Sequence, residues 1–352
     1  SSSTTNLDGG EVIIFSTLTN NGTINWNAGY LSFNNGSLIN NKNFNAVAYN
    51  SLNNYGAGIF TNSSTGIFNE LSGTGTTYSS VAFTNNGTLN FNSGTFQNAG
   101  SFTNTGPMVF AGGTFTSYAP ASLNAGTTIT GSGAIIQGNN TMTINVAVNL
   151  PANIAFTCSG GTINGTGSIK VTGAMQWNGG TLSLPATFQN NAVVNLDGGE
   201  VIINSTLTNS GTINWNAGYL SFNAGTLVNN KNLNIASNDQ MYNYGGGSCT
   251  NNAAGVFSKT STGTTTVSIP VTNNGRISGV GNYSFGTGLL NNKGIFAPGS
   301  YIGILTTGVD YTNKTLEIQM LAGVPVSFGR TRGNGKEGQY NLVFEYKQRD
   351  VG

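Results

Sequence analysis

The chain has 352 residues, with 12 Lys and Arg against 11 Asp and Glu, and charged residues make up only 7% of it, against a usual ~25%. Hydrophobic residues at 37% and aromatics at 10% exclude an intrinsically disordered chain, and a net charge of +1 without a basic stripe excludes nucleic-acid binding. No His occurs anywhere, which excludes Ser-His-Asp and Cys-His nucleophile schemes.

Residues 6–45, NLDGGEVIIFSTLTNNGTINWNAGYLSFNNGSLINNKNFN, return almost unchanged at 195–234, Asn6 matching Asn195. Inside the repeat a shorter period shows in the glycines: Gly22, Gly29 and Gly36 are seven apart, as are Gly211, Gly218 and Gly225. Between them apolar residues stand two apart, in pairs such as Ile24/Trp26, Leu31/Phe33, Ile213/Trp215 and Leu220/Phe222. That alternation places both side chains on one side of an extended strand. Asn-Gly and Asn-x-Gly turn the corner, because both residues tolerate left-handed backbone. Three such sides close one coil. The expected fold is all-β, a right-handed three-faced parallel β-helix, with 15 to 18 coils and a length of roughly 70 to 90 Å at ~4.8 Å per coil. Hairpin sandwiches compete, since Asn-Gly also marks hairpins, but the strands are short and the step is regular. Residues 1–300 form the solenoid as two similar modules, 1–188 and 189–300, and residues 301–352 form a small C-terminal β module. The expected structural core is Ile24, Trp26 and Phe33 with Ile213, Trp215 and Phe222, the two Trp in equivalent inward positions about nine coils apart.

In chain order, Asp8 and Glu11 flank a Gly-Gly turn, as Asp197 and Glu200 do later. Calcium would need six to eight oxygens, and no further acid is near, so both pairs read as solvated corners. Residues 51–80 are less regular, with Tyr55, Phe60 and Phe68 as expected core aromatics. From Glu70 to Asp197 no acid intervenes, and Lys170 is the single basic residue of that stretch. Carbohydrate-acting β-helix enzymes gather acids and bases on one face, so no catalytic, cofactor or metal residue is assigned. Cys158 and Cys249 lie about four and a half coils apart, roughly 20 Å at ~4.8 Å per coil and beyond the ~7 Å limit of a disulfide; both are expected to be free thiols. The segment 330–352 carries eight charged side chains, about a third of those in the chain. Arg330, Arg332, Lys336, Lys347 and Arg349 are the basic part of this segment, read as a cap over the open end or as a docking piece.

The repeated Asn-x-Gly-(Thr/Ser)-(Ile/Leu) sides resemble secreted bacterial β-helix adhesins, including autotransporter passenger domains and Bacteroidetes surface repeat proteins. Gly294-Ile295-Phe296-Ala297-Pro298-Gly299-Ser300, then Gly303-Ile304-Leu305-Thr306, Asp310-Tyr311-Thr312 and Thr315-Leu316-Glu317-Ile318, are similar to the C-terminal segment of such passengers. Tyr301 and Ile302 depart from the Ser-Pro common there. Gln339-Tyr340-Asn341-Leu342-Val343-Phe344 resembles the final strand of that module. The resemblance implies a secreted or cell-surface, non-enzymatic stalk or adhesin without membrane insertion, its ligand a surface or a carbohydrate. Exposed Tyr30, Tyr118 and Tyr219 would stack on sugar or else fill corners. The alternative is an ice-binding solenoid, against which Thr19, Thr23, Thr84, Thr88, Thr208 and Thr212 read as scattered. The opening directly into repeat text leads to an expectation of end-to-end association between copies.

Overall fold

The computed structural model describes residues 3–47, 50–286 and 290–298, with two strand pieces at 305–306 and 315–316. Every paired strand runs parallel to its neighbour and no helix occurs among the described residues. The strands wind into a β-solenoid of about 14 turns, roughly 65 Å at ~4.8 Å per rung. This is slightly fewer turns than expected for the whole chain, much of 301–352 lying outside the described residues.

Long strands such as Thr4–Ile14 and Thr23–Phe33 each serve two faces, and short ones such as Thr17–Asn20 and Ser37–Asn40 supply the third. The bend falls at Gly9 and Gly10, whose φ values are 151° and 73°, and there the register slips between Leu7 and Glu11. A side chain at Gly29, φ 87°, would meet the backbone of Gly10 one rung below. Tight corners therefore require glycine twice over, for backbone angle and for space.

Register settles how the two modules are stacked. One column on the second face runs Glu11, Tyr30, Ser51, Tyr78, Gln97, Thr116, Ile136, Thr157, Gln176, Asn195. Asn195 thus lies nine steps above Glu11, whereas its repeat counterpart Asn6 lies one side earlier on the first face. The offset between the two copies is nine turns plus one side. Trp26 and Trp215 are both fully buried, but they occupy adjacent faces, and the expectation of equivalent positions nine coils apart is corrected accordingly. The physical reason is that rungs vary in length, from a short step between Thr4 and Thr23 to a much longer one between Asn43 and Ile67.

The interior is filled by one side chain in two. Phe44, Phe60, Phe68, Phe83 and Phe96 stack up the axis with ring centroids 4.7 to 5.7 Å apart, which suits stacked and edge-on aromatic contact. At one corner buried asparagines form a ladder: Asn20, Asn40, Asn62, Asn85 and Asn104 each donate Nδ2 to the next Oδ1 or to Thr127 Oγ1 at 2.6 to 2.9 Å. The second module builds the same ladder from Asn209, Asn229, Asn251, Asn273 and Asn292, at 2.6 to 2.8 Å. Outside, Thr61, Thr84, Thr103, Ser122 and Thr143 stand directly above one another. The threonines are therefore partly aligned, where the sequence reading had them scattered; the sides that carry them recur once per turn. Val12 and Leu18 of the first rung are 37% and 39% exposed, against 2% for their counterparts Val201 and Leu207, which have a rung beneath them.

Asn62 donates to Asn85 at 2.7 Å and to the carbonyls of Gly66 and Thr88, and it accepts from Asn40. Asn62→Ala should cost ~3 kcal/mol, because it strands several buried partners at once, as read from urea unfolding. Asn35 and Ala224 occupy the same repeat position at φ 56° and 58°. Ala224→Gly should stabilise the chain by ~1 kcal/mol by removing left-handed strain, seen as a higher unfolding midpoint.

Candidate functional site

Ile24, Phe33, Ile213 and Phe222 lie inside the solenoid with the two Trp, so these residues build the core and present nothing to solvent. Arg330, Arg332, Lys336, Lys347 and Arg349 lie outside the described residues. Tyr55 is 59% exposed, which corrects its expected place in the core: alternation ends at Asn54, and the ring follows the turn outward. Phe60 and Phe68 are inside.

The exposed tyrosines collect at one type of corner. In the first module Glu11 Oε1 accepts from Ser32 Oγ at 2.5 Å and from the Tyr55 hydroxyl at 2.9 Å. Those two hydrogen bonds, Ser32 first, hold the Glu11 carboxyl below its ordinary range. Tyr30 stands directly above Glu11 and Tyr78 two rungs higher in the same column. Asn53 donates to Ser32 Oγ at 3.3 Å.

The second module repeats this corner. Glu200 Oε1 accepts from Ser221 Oγ at 2.5 Å, and Tyr219 stands above Glu200. A hydrogen bond to Glu200 raises the Tyr244 phenol above its usual range. Tyr242 replaces Asn53 above Ser221, and its ring meets that of Tyr244 at 4.7 Å and 65°. Tyr30, Tyr55, Tyr78, Tyr219, Tyr242 and Tyr244 are all exposed, and of the exposed tyrosines described only Tyr118 lies elsewhere. The sequence carried the signal as two Tyr-Leu-Ser-Phe sides, each followed one rung later by Asn-Tyr-Gly.

Asp8 and Asp197 accept from the amides of Asn27 and Asn216 one rung above, at 2.7 and 2.5 Å. Among the described residues no three His, Cys, Asp or Glu gather where they would hold a metal ion. Cys158 and Cys249 are buried and free; burial pushes the Cys158 thiol up to about 11 and raises Cys249 further.

Two charged groups missed by the sequence reading are buried, and they share a repeat position: Lys259 stands as far beyond Glu70 as Asn195 stands beyond Asn6. Glu70 Oε1 accepts from the Ser72 N–H and from Thr77 Oγ1, both at 3.1 Å, while Oε2 has no partner. Lys259 Nζ donates to Ser237 O and Asn238 Oδ1 at 2.8 Å and to Ser261 Oγ at 2.5 Å. Burial raises the Glu70 carboxyl to about 7 and lowers the Lys259 ammonium to about 8. The alternation Phe68–Glu70 and Phe257–Lys259 was the available signal.

Glu70 is raised from 4.5 to about 7, so its contribution is complete below about 4.5 and is lost as pH rises through 7. A shift of this size corresponds to about 3 kcal/mol. Glu70→Gln should flatten the stability curve between about pH 4.5 and 7, measured by urea melts across that range. Lys259, lowered from 10.5 to about 8, acts in the opposite sense, with stability gained as pH climbs from about 8 to 10.5.

Comparison with known proteins places similarity at the C-terminal end. Residues 310–352 match the family model described as Cyanophycin synthase-like N-terminal domain. Over 54 residues the chain is 44% identical to a cyanophycin synthetase of Geminocystis herdmanii, covering 15% of this chain and 6% of that protein. The chain therefore spans a small part of the length of this curated relative. No solved structure matches the chain.

Proposed function

We propose that this repeat protein is a non-enzymatic, extracellular structural or adhesive rod whose wall presents ligand-contacting corners. The observation that supports the reading best is the recurrence of the tyrosine–carboxylate corner on two modules of the solenoid. The buried acid and base, Glu70 and Lys259, lie one on each module, nine turns plus one side apart. They cannot act on one substrate. A wall of amide ladders with few charges also keeps its hydrogen bonds largely independent of salt. The similarity at 310–352 concerns a segment of which only Thr315–Leu316 is among the described residues, so the synthetase's activity is not carried to the solenoid. End-to-end association between copies belongs to the same proposal.

Immunolabelling of intact source cells, combined with electron microscopy of the purified protein, tests this reading. The expected outcome is surface label removed by external protease, together with rods whose length follows from ~4.8 Å per stacked rung, or end-to-end multiples of them. Label protected until the cells are lysed would overturn the extracellular part. A second reading, ice binding, is favoured by the aligned column Thr61, Thr84, Thr103, Ser122, Thr143. It would show as inhibited ice recrystallisation that Thr103→Tyr abolishes.

A further inference from the structure

We infer that the two tyrosine–carboxylate corners are paired binding sites for neutral saccharide chains, and that one molecule bridges two separate chains. The inference rests on the adhesive reading and gives its ligand a chemical class. Three properties of the corners point to it. First, the rings are fixed. The Tyr55 hydroxyl is tied to Glu11 across two rungs at 2.9 Å, and the Tyr244 ring packs edge-on against that of Tyr242 at 4.7 Å. A ring that is both exposed and immobile offers an apolar face at low entropic cost, which suits the C–H face of a sugar ring.

Second, polar groups capable of reading hydroxyls surround the rings. A carboxylate accepts about four hydrogen bonds, and Glu11 spends two on Ser32 and Tyr55. The remaining acceptor capacity, with the tyrosine hydroxyls, matches a ligand rich in O–H donors. Third, the charge selects against acids. Each corner holds a Glu, with Asp8 or Asp197 on the same bend, so a uronate or sulfated chain would be repelled and a neutral one admitted.

The corners lie nine turns plus one side apart, because Glu11 and Glu200 belong to repeat copies threaded out of phase. Along the axis this is ~43 Å at ~4.8 Å per rung, and the corners open from adjacent faces of the prism. One flat surface cannot cover both. Two different chains can, and the rod then acts as a cross-link.

The test uses the full chain with cellohexaose, xylohexaose, chitohexaose and oligogalacturonate in titration calorimetry. At least one neutral hexamer should bind at two sites per chain, with oligogalacturonate at least tenfold weaker. The double variant Tyr30→Ala/Tyr55→Ala should leave one site, as should Tyr219→Ala/Tyr244→Ala, and the fourfold variant should leave none. The substituted rings are exposed, and an unchanged circular dichroism melt verifies the fold of each variant. The intact chain should precipitate or thicken the matching soluble polysaccharide, whereas each double variant should bind it without bridging. Failure of every neutral hexamer to bind, preference for the acidic one, or binding that survives the fourfold variant would each overturn the inference. None of those results bears on whether the protein is an extracellular rod, which the labelling experiment decides separately.

Discussion

The structure depends on rung-to-rung registration by hydrogen bonds, in the backbone and at the buried corner asparagines. Within the ladder an amide donates upward to the next Oδ1 and also reaches carbonyls of its own turn and of the next rung, as Asn40 does toward Lys42 O and Ile67 O. A corner must abandon strand pairing for a residue or two, and a buried carbonyl left there would be costly. The asparagine satisfies those carbonyls from inside. The turn can then be short, the next strand can begin at once, and the rung can close in about twenty residues. An interior of Phe, Leu and Ile could fill the same volume but could not fix the register, because apolar packing has no direction.

Register in turn determines what the surface displays. Stacking a rung in phase places equivalent residues in columns, so a feature of the repeat text becomes a line along the rod. The outer asparagines Asn6, Asn25, Asn45, Asn69 and Asn90 form such a line, hydrogen-bonded at 2.7 to 2.9 Å. Where the rungs differ in length, a column is broken or transferred to the next face. The tyrosine corners survive this transfer because in each the carboxylate, the tyrosine above it and the closing tyrosine come from three successive rungs.

Much of the fold was legible in the residues. Alternating apolar positions and the seven-residue glycine step gave strands, corners and three faces, and the inward Trp26 and Trp215 followed from the same alternation. The phase between modules was not legible. It is a sum over individual rung lengths, and the irregular segment 51–80, which holds most of the long rung from Asn43 to Ile67, contributes an amount that glycine spacing does not reveal. Tyr55 was misplaced for a local reason, since alternation carries no information once a strand enters its turn. Glu70 and Lys259 fall on inward positions of the pattern, two residues after Phe68 and Phe257, but the ordinary preference of charge for solvent obscured it. The tyrosine corner was half visible, as Tyr30 and Tyr219 near Glu11 and Glu200, while its closing residues Tyr55 and Tyr244 belong to another rung.

The fractional phase also gives the duplication a symmetry of its own. A copy that advances nine turns and one side is related to its predecessor by a screw operation with three steps per cycle. A tandem array built on that spacing would set successive corners on the first, second and third pairs of faces in rotation, and the fourth copy would return to the direction of the first. Lengthening such a rod by whole copies would make it radially even, with decoration in every direction around its axis. An array spaced by a whole number of turns would carry all its corners along one edge.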